Sequence, residues 1–408
     1  MGLPTGHLRT MAYATFANTI GLGLWSAGAA LFLTRSVGLS AVSVGAGLTV
    51  AGVVGLAASV PLGHLADRRD PRSLRALVQL AQGAVAAAYL LVRSFPAFLV
   101  VAVLDALLMT SNLTLRAALI AAVGGPEGRV RAFATLRVVA SVGISIGASL
   151  AAVALVADTR PAYVLLVIGN SLTFLVSAAL LMRLPAFPPA GQGRRASRLR
   201  ARVPALRDRP FLAVSAASAV LSAHRVVLVL IVPLWIVSRT HAPRWAVSVV
   251  VVTNTVLTVL LAVRVSRGAE TAAPAARALR RAGAVLAVAM LLYAATAGLP
   301  PAPTVGLLVL ATAVYTVGDL LHITAAAGLS YDLAPPDAIG QYQGATVLLT
   351  GLAEAAAPAV LTALVVEGGG RTAWALVGGV FLATGAGVPR LVRWAQKRAN
   401  ERMGMRGP

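Results

Sequence analysis

The sequence predicts an all-α integral membrane protein whose twelve transmembrane helices form two six-helix bundles. Three observations predict it. The chain is 58% hydrophobic and only 12% charged, with a mean hydropathy of +0.83, against roughly 25% charged residues in a soluble domain. Its apolar runs reach the ~20 residues that a helix needs to cross a bilayer. They also lack the apolar–polar alternation of barrel strands. One long polar interruption then divides the runs six and six.

Taken in order, the spans are expected at 11–34, 41–65, 74–93, 96–121, 131–157, 161–183, 211–237, 244–264, 279–299, 303–329, 339–366 and 372–394. The first is expected to be retained. Arg9 precedes a long apolar run, without the short hydrophobic region and cleavage site of a signal peptide. Short connections rich in Gly, Pro or charge separate the spans, such as Gly124-Gly125-Pro126-Glu127-Gly128 and Pro300-Pro301-Ala302-Pro303. The exception is the stretch from Pro185 to Pro210, which is rich in Pro, Gly and Arg. It reads as a solvated linker with lipid-headgroup contacts. The domains expected are therefore 1–184, a basic linker at 185–210, and 211–408 with a basic tail.

The formal net charge is +22. In a soluble protein that charge would suggest nucleic acid. In a chain this apolar it marks loops on the cytoplasmic side, and no nucleic-acid partner is expected. With the N-terminus inside, the inside segments hold Arg9, then Arg68, Arg69, Arg72 and Arg75, then Arg129, Arg131 and Arg137, the linker arginines, and the cluster from Arg264 to Arg281. The outside loops hold only Arg35, Arg93, Arg160, Arg239, Arg244 and Arg371. Both termini are therefore expected in the cytoplasm, with the chain crossing the cell's inner (plasma) membrane many times. The chain contains no cysteine, which removes disulfides, thiolate metal sites and cysteine nucleophiles. It has no HExxH, Walker A or paired acidic metal motif. No enzyme activity, cofactor or metal is expected.

The densest charge lies in Gly63-His64-Leu65-Ala66-Asp67-Arg68-Arg69-Asp70-Pro71-Arg72, between the second and third spans. Its Gly-x-x-x-Asp-Arg-x-x-x-Arg pattern resembles the signature loop of the major facilitator superfamily, with Arg69-Asp70-Pro71 in place of the usual aromatic-Gly-Arg. Two further stretches are similar to its bacterial drug-efflux branch. One is Asp332-Leu333-Ala334-Pro335-Pro336-Asp337-Ala338-Ile339-Gly340-Gln341-Tyr342-Gln343-Gly344, and the other is Arg131-Ala132-Phe133-Ala134-Thr135-Leu136-Arg137. The fifth span carries Gly143-x-x-x-Gly147 with Ala151, small residues suited to close helix packing. The resemblance implies that Gly63 permits close helix approach and that Asp67 docks near the start of the eleventh helix. It also implies that Arg68 and Arg72 tie the loop to carboxylates or phospholipid. A carboxylate near a helix N-terminus is favoured by the helix dipole. Arg116 is suggested as a further partner of this gating loop.

Charge at mid-span is costly and calls for a reason. The candidates are Asp105 on the fourth span, His224 and Arg225 on the seventh, Asp319 and His322 on the tenth, and Glu354 on the eleventh. In the superfamily it resembles, spans one, four, seven and ten line a central cavity. Asp319 and His322 are three apart and share a helical face, a pairing able to move protons. Arg225 is offered either Asp319 or Asp105 as partner. His224 reads as a satisfied core histidine, and Glu354 as a packing or a coupling residue. Asn18 and Trp25 lie seven apart on the first span, either lining a pocket or serving interhelical packing. The function implied is secondary transport of a small hydrophobic or amphipathic substrate, exported by a monomer in exchange for protons. An importer or exchanger of a small anionic metabolite is the alternative, with a non-transporting sensor or scaffold a more remote one.

Overall fold

The computed structural model describes residues 6–157, 159–187, 204–243, 245–265, 271–368 and 370–404. Among them there is no strand. Much of the expected linker, the loop that follows Val265, and Arg244 lie outside the described residues.

The described residues form twelve helical rods, which we number α1 to α12. The first six are α1 (Gly6–Leu31, continued by a wide turn over Phe32–Ser36), α2 (Val42–Arg68), α3 (Pro71–Leu91), α4 (Phe95–Gly125), α5 (Gly128–Val153) and α6 (Arg160–Met182). The second six are α7 (Arg209–Arg239), α8 (Ala246–Val265), α9 (Ala272–Ala295), α10 (Pro301–Asp332), α11 (Ile339–Val365) and α12 (Arg371–Gly404). Ten of the twelve are long and apolar enough to cross a membrane. The α8 helix is apolar over a shorter stretch, Ala246–Ala262, and α1 is not among the ten. Thr15, Asn18, Thr19 and Ser26 dilute the apolar run of α1.

Three boundaries differ from the sequence reading. The Gly124–Gly128 loop shrinks to one non-helical residue, Gly125 at φ 61°, within an otherwise helical stretch Phe95–Ala157. That positive φ is a conformation glycine adopts without strain. The α9 helix starts seven residues early, at Ala272, because Arg277, Arg280 and Arg281 lie on its exposed face while Ala275, Ala276 and Leu279 are buried. In the same way α12 runs on past Arg390, Arg393 and Lys397 to Gly404. In each case basic residues belong to a helix end rather than to a loop.

The chain divides into two compact units, Met1–Val203 with Pro336–Leu348, and Pro204–Pro335 with Leu349–Pro408. The start of α11 therefore groups with the first unit, a division that no composition change announces.

In the first unit α1 and α5 pack at glycine contact. A Cβ at Gly147 would run into the Ile20 carbonyl, and one at Gly23 into the Ile144 carbonyl. The Ser177 hydroxyl of α6 donates to the Ala14 carbonyl of α1 at 2.7 Å, and Ser171 donates to the Gly83 carbonyl of α3 at 2.7 Å. Phe32, Tyr89, Phe98 and Tyr163 fill the core at one end. The α3 helix starts where Asp70 caps it and Pro71 takes the first position, a strong pairing of start signals.

In the second unit the core centres on three aromatic side chains. Trp374 of α12 lies edge-on to Trp235 at 5.6 Å and tilted against Tyr293 at 5.5 Å. The Trp235 indole N–H donates to the Thr296 hydroxyl at 3.0 Å, so a polar group stays satisfied inside an apolar core. The α9–α12 pair meets at Gly283 and Gly385. The α7 helix widens into a π-turn over Val227–Ile231, two residues before Pro233. Proline donates no backbone hydrogen bond, so the helix loosens in the turn before it.

Candidate functional site

Among the described residues, polar side chains interrupt the expected apolar interior in both units. In the second, α7 and α10 run side by side, and their polar partners march in opposite directions, Ser218 with His322 and His224 with Asp319. That is the register of antiparallel neighbours. His224 is fully buried, and Asp319 is only 5% exposed. The His224 Nδ1 lies 2.6 Å from the Leu221 carbonyl and Nε2 lies 2.8 Å from Asp319 Oδ1. A carbonyl can only accept, so Nδ1 carries a proton. The contact between Nε2 and Oδ1 then holds one more proton between them. The pair is either imidazolium with carboxylate or imidazole with carboxylic acid, and it is neutral in both forms. Removing that proton would leave two acceptors facing each other at 2.8 Å. The π-turn and Tyr315, whose hydroxyl donates to the His224 carbonyl at 3.1 Å, hold this part of α7 in place.

The sequence joined Asp319 to His322, and Arg225 to Asp319 or Asp105. The structure gives these side chains other hydrogen-bond partners. His322 Nε2 lies 3.0 Å from the Ser218 carbonyl and so donates to it, and its Nδ1 is buried without a protein partner. Arg225 Nη1 bonds Glu354 Oε1 of α11 at 2.8 Å, with both side chains about a third exposed. The reason is angular. Successive residues on a helix diverge by about 100°, so His224 meets α10 while Arg225 turns to α11. His224 is thus a satisfied buried histidine, as the sequence reads it, and its partner on α10 is Asp319.

In the first unit the Tyr89 hydroxyl donates to Asp105 Oδ2 at 3.3 Å. Trp25 of α1 tilts against Tyr89 at a ring separation of 4.6 Å. Asp105 is therefore bonded to a tyrosine of α3 that in turn packs on Trp25 of α1. Asn18 is half-buried on α1, with no side-chain hydrogen bond among the described residues. A concavity of about 160 Å³ lined by Phe32, Leu90, Arg93 and Arg160 contains none of the expected site residues.

Also in the first unit, α2 crosses the start of α11 at glycine. A Cβ on Gly63 would strike the Gly340 carbonyl, and one on Gly344 would strike the Ser59 carbonyl. Four residues on from Gly63, Asp67 accepts from the Gly340 N–H at 2.6 Å and the Gln341 N–H at 3.0 Å. These N–H groups open a helix and have no partner within it, and the carboxylate also meets the positive end of the dipole. Arg68 is exposed. Arg72 turns back on its own loop, with Nε on Asp70 at 3.1 Å and Nη1 on the Leu184 carbonyl at 2.6 Å. Asp70 also accepts from Ser73 and from the backbone N–H of Phe187. Burial pushes the Asp70 carboxyl up, but these hydrogen bonds and the Arg72 charge outweigh it and hold the group below the usual carboxylate range. Arg116 donates to the Leu136 carbonyl of α5 at 3.3 Å. Sequence reasoning passed over the cap formed by Asp70 and the partner of His224. The Asp-Pro dipeptide was the available signal for the first. Nothing local signalled the second.

The comparisons with known proteins follow the fold. The sequence pattern of the Major Facilitator Superfamily matches residues 11–358. No curated protein matches the sequence. Among solved structures the chain is similar to that of the human organic anion transporter MFSD10 (TETRAN). The TM-score is 0.70 at 17% identity, over 93% of this chain and 98% of that one. It is similar to a mutant of the nucleoside transporter NupG, with a TM-score of 0.59 at 16% identity over 95% and 99% of the two chains. It is also similar to the proton:xylose symporter XylE bound to 6-bromo-6-deoxy-D-glucose, with a TM-score of 0.65 at 13% identity over 95% and 96%. At such identities the likeness is one of fold. The pattern match, the all-helical architecture and the apolar helices agree, and the chain belongs to the major facilitator superfamily of multi-pass membrane transporters.

Proposed function

We propose that this transporter exports a small hydrophobic or amphipathic compound in exchange for protons, with His224 and Asp319 holding the coupling proton. The observation that carries this reading is the 2.8 Å contact between His224 Nε2 and Asp319 Oδ1. The pair is stable with one shared proton and repulsive without it. Loss of the proton therefore forces a change of geometry between α7 and α10, which is what coupling a proton to an alternating-access cycle needs. Asp105, bonded to Tyr89, is the corresponding carboxylate of the first unit, and the neighbouring Tyr89–Trp25 ring pair suits an amphipathic ligand. Asp67 acts as a latch, holding the start of α11 in one state of the cycle and releasing it in the other. Both termini face the cytoplasm at the inner membrane, the chain acts as a monomer, and the direction follows the sequence resemblance to the drug-efflux branch.

The test uses purified protein in proteoliposomes, with proton release measured on adding candidate amphipathic compounds. Asp319→Asn is expected to abolish proton release, and Asp105→Asn to weaken it. Transport that persists with unchanged proton release in both variants would overturn the coupling assignment.

A second reading, uptake or exchange of an anionic metabolite, draws on Arg225 and on the likeness to an organic anion transporter. Glu354 already neutralises Arg225 at 2.8 Å, which leaves this cation less suited to read an anion and places this reading second.

A further inference from the structure

Arg75, Gln79 and Gln82 stand at i, i+4 and i+7 on α3 and so share one face of that helix. None of the three is exposed to more than 1%. Arg75 Nε donates to Asn112 Oδ1 of α4 at 3.0 Å, and Asn112 is Arg75's one side-chain partner among the described residues. Arg75 Nη1, and both amide atoms of Gln79 and of Gln82, are buried without a protein partner. The charge acting on Arg75 is that of Arg116, of the same sign. Leu74, Val78 and Leu115 pack beside this face, so α3 and α4 are in apolar contact around it.

A guanidinium buried beside a second cation is strongly unfavourable without a compensating charge. Buried polar atoms are ordinarily hydrogen-bonded, and here five share one face of a helix. The chemistry presented is a cationic fork flanked by two carboxamides, each with N–H donors. We infer that Arg75, Gln79, Gln82 and Asn112 form a binding site for a small inorganic anion of the halide class. The side chains are closed to solvent, which selects an ion of atomic size over a phosphate or an organic acid. The anion ties α3 to α4 at the level where Ala66 of α2 packs against the same leucines. It stabilises the first unit and is independent of the proton pair in the second.

The test is thermal unfolding of the full-length protein in detergent, in sodium chloride against sodium gluconate at equal ionic strength. Chloride, and bromide like it, is expected to raise Tm saturably while gluconate does not. Arg75→Gln is expected to remove the chloride-specific rise and to leave the variant more stable than wild type in gluconate, because an uncompensated buried charge has gone. Gln79→Leu is expected to weaken the apparent chloride affinity roughly tenfold, the size of one lost buried donor. Matching chloride and gluconate curves for wild type, or a wild-type chloride response in Arg75→Gln, would overturn the site. Should Arg75→Gln fail to fold, bromide anomalous scattering from wild-type crystals decides. A peak beside Arg75 supports the site, and water alone there at saturating bromide refutes it.

Discussion

Replacing Asp319 by Asn and by Ala separates the proton from the hydrogen bond. With Nδ1 of His224 donating to the Leu221 carbonyl at 2.6 Å, a neutral imidazole presents its Nε2 lone pair toward residue 319. An Asn side chain at 319 supplies an N–H to that lone pair across a distance that is 2.8 Å in wild type. The hydrogen bond survives, nothing charged is stranded, and the expected cost is under about 1 kcal/mol. Ala supplies no donor. It leaves a fully buried Nε2 unsatisfied, or a lone imidazolium, and opens a small cavity. An unsatisfied buried group costs about 1–3 kcal/mol and a broken buried ion pair about 3–5 kcal/mol. The two variants should therefore differ by roughly 2–4 kcal/mol in unfolding, with Ala the weaker. The assay is denaturation in detergent alongside ligand-induced proton release. Asn is expected to fold as wild type does and to release no coupled proton. If Asn is as destabilised as Ala, the tautomer assigned to His224 is wrong. If Asn still releases protons at the wild-type stoichiometry, the pair does not hold the coupling proton.

Other consequences are as direct. Gly63→Ala places a methyl against the Gly340 carbonyl, so α2 and α11 must separate and Asp67 must lose its bonds. Transport should fall sharply while ligand binding survives, and equal loss of both would mean misfolding instead. Asp67→Asn keeps one acceptor for the Gly340 and Gln341 N–H groups and should cost about 1–3 kcal/mol in thermal unfolding. Because Asp70 is held below the usual carboxylate range, its stabilisation is complete above that range and is lost as pH falls through the depressed value. Asp70→Ala should remove that acid-side slope and about 1 kcal/mol with the α3 cap, read by unfolding at neutral and at acid pH. For the partly exposed Arg225–Glu354 pair, a double-mutant cycle through Arg225→Gln and Glu354→Gln should give a coupling energy of about 1 kcal/mol or less. A value above about 3 kcal/mol would show the pair to be far less screened than its exposure implies.

What could be read from the chain followed distance along it. The spans rest on local runs of about 20 apolar residues, and the helical rods lie where those runs are. The largest shift at a helix start came where arginines sit on an exposed helical face, as at Arg277 and Arg281. Gly125 shows the same limit from the other side. Five loop-forming letters reduce to one residue, because a single positive φ is enough to redirect a helix. The contact of Asp67 with the start of α11 joins residues 273 apart in sequence. It was legible only because a family resemblance carried the long-range information, and no property of the Gly63–Arg72 stretch alone would have supplied it.

The polar pairs of the second unit mark where local reasoning stops. Spacing reports which residues share a face, and by that rule Asp319 and His322 belong together. It does not report what the neighbouring helix presents at the same height, and that decides the partner. On α7 the residue opposite Asp319 is His224 and the one opposite His322 is Ser218. A shift of α10 by one turn would give His224 and Ser218 different partners with no change in either sequence pattern. The same argument applies in the first unit with the opposite outcome. Arg75, Gln79 and Gln82 form a stripe visible in the letters, but a stripe of polar residues ordinarily faces solvent or a headgroup. Only the packing of α3 against α4 turns it inward, and the burial makes its missing partners chemically meaningful. In a membrane chain, then, a charge near a helix end is ambiguous until its face is known. The discriminating observation is whether its polar atoms are satisfied, since the positive-inside rule explains an exposed arginine and not a buried one.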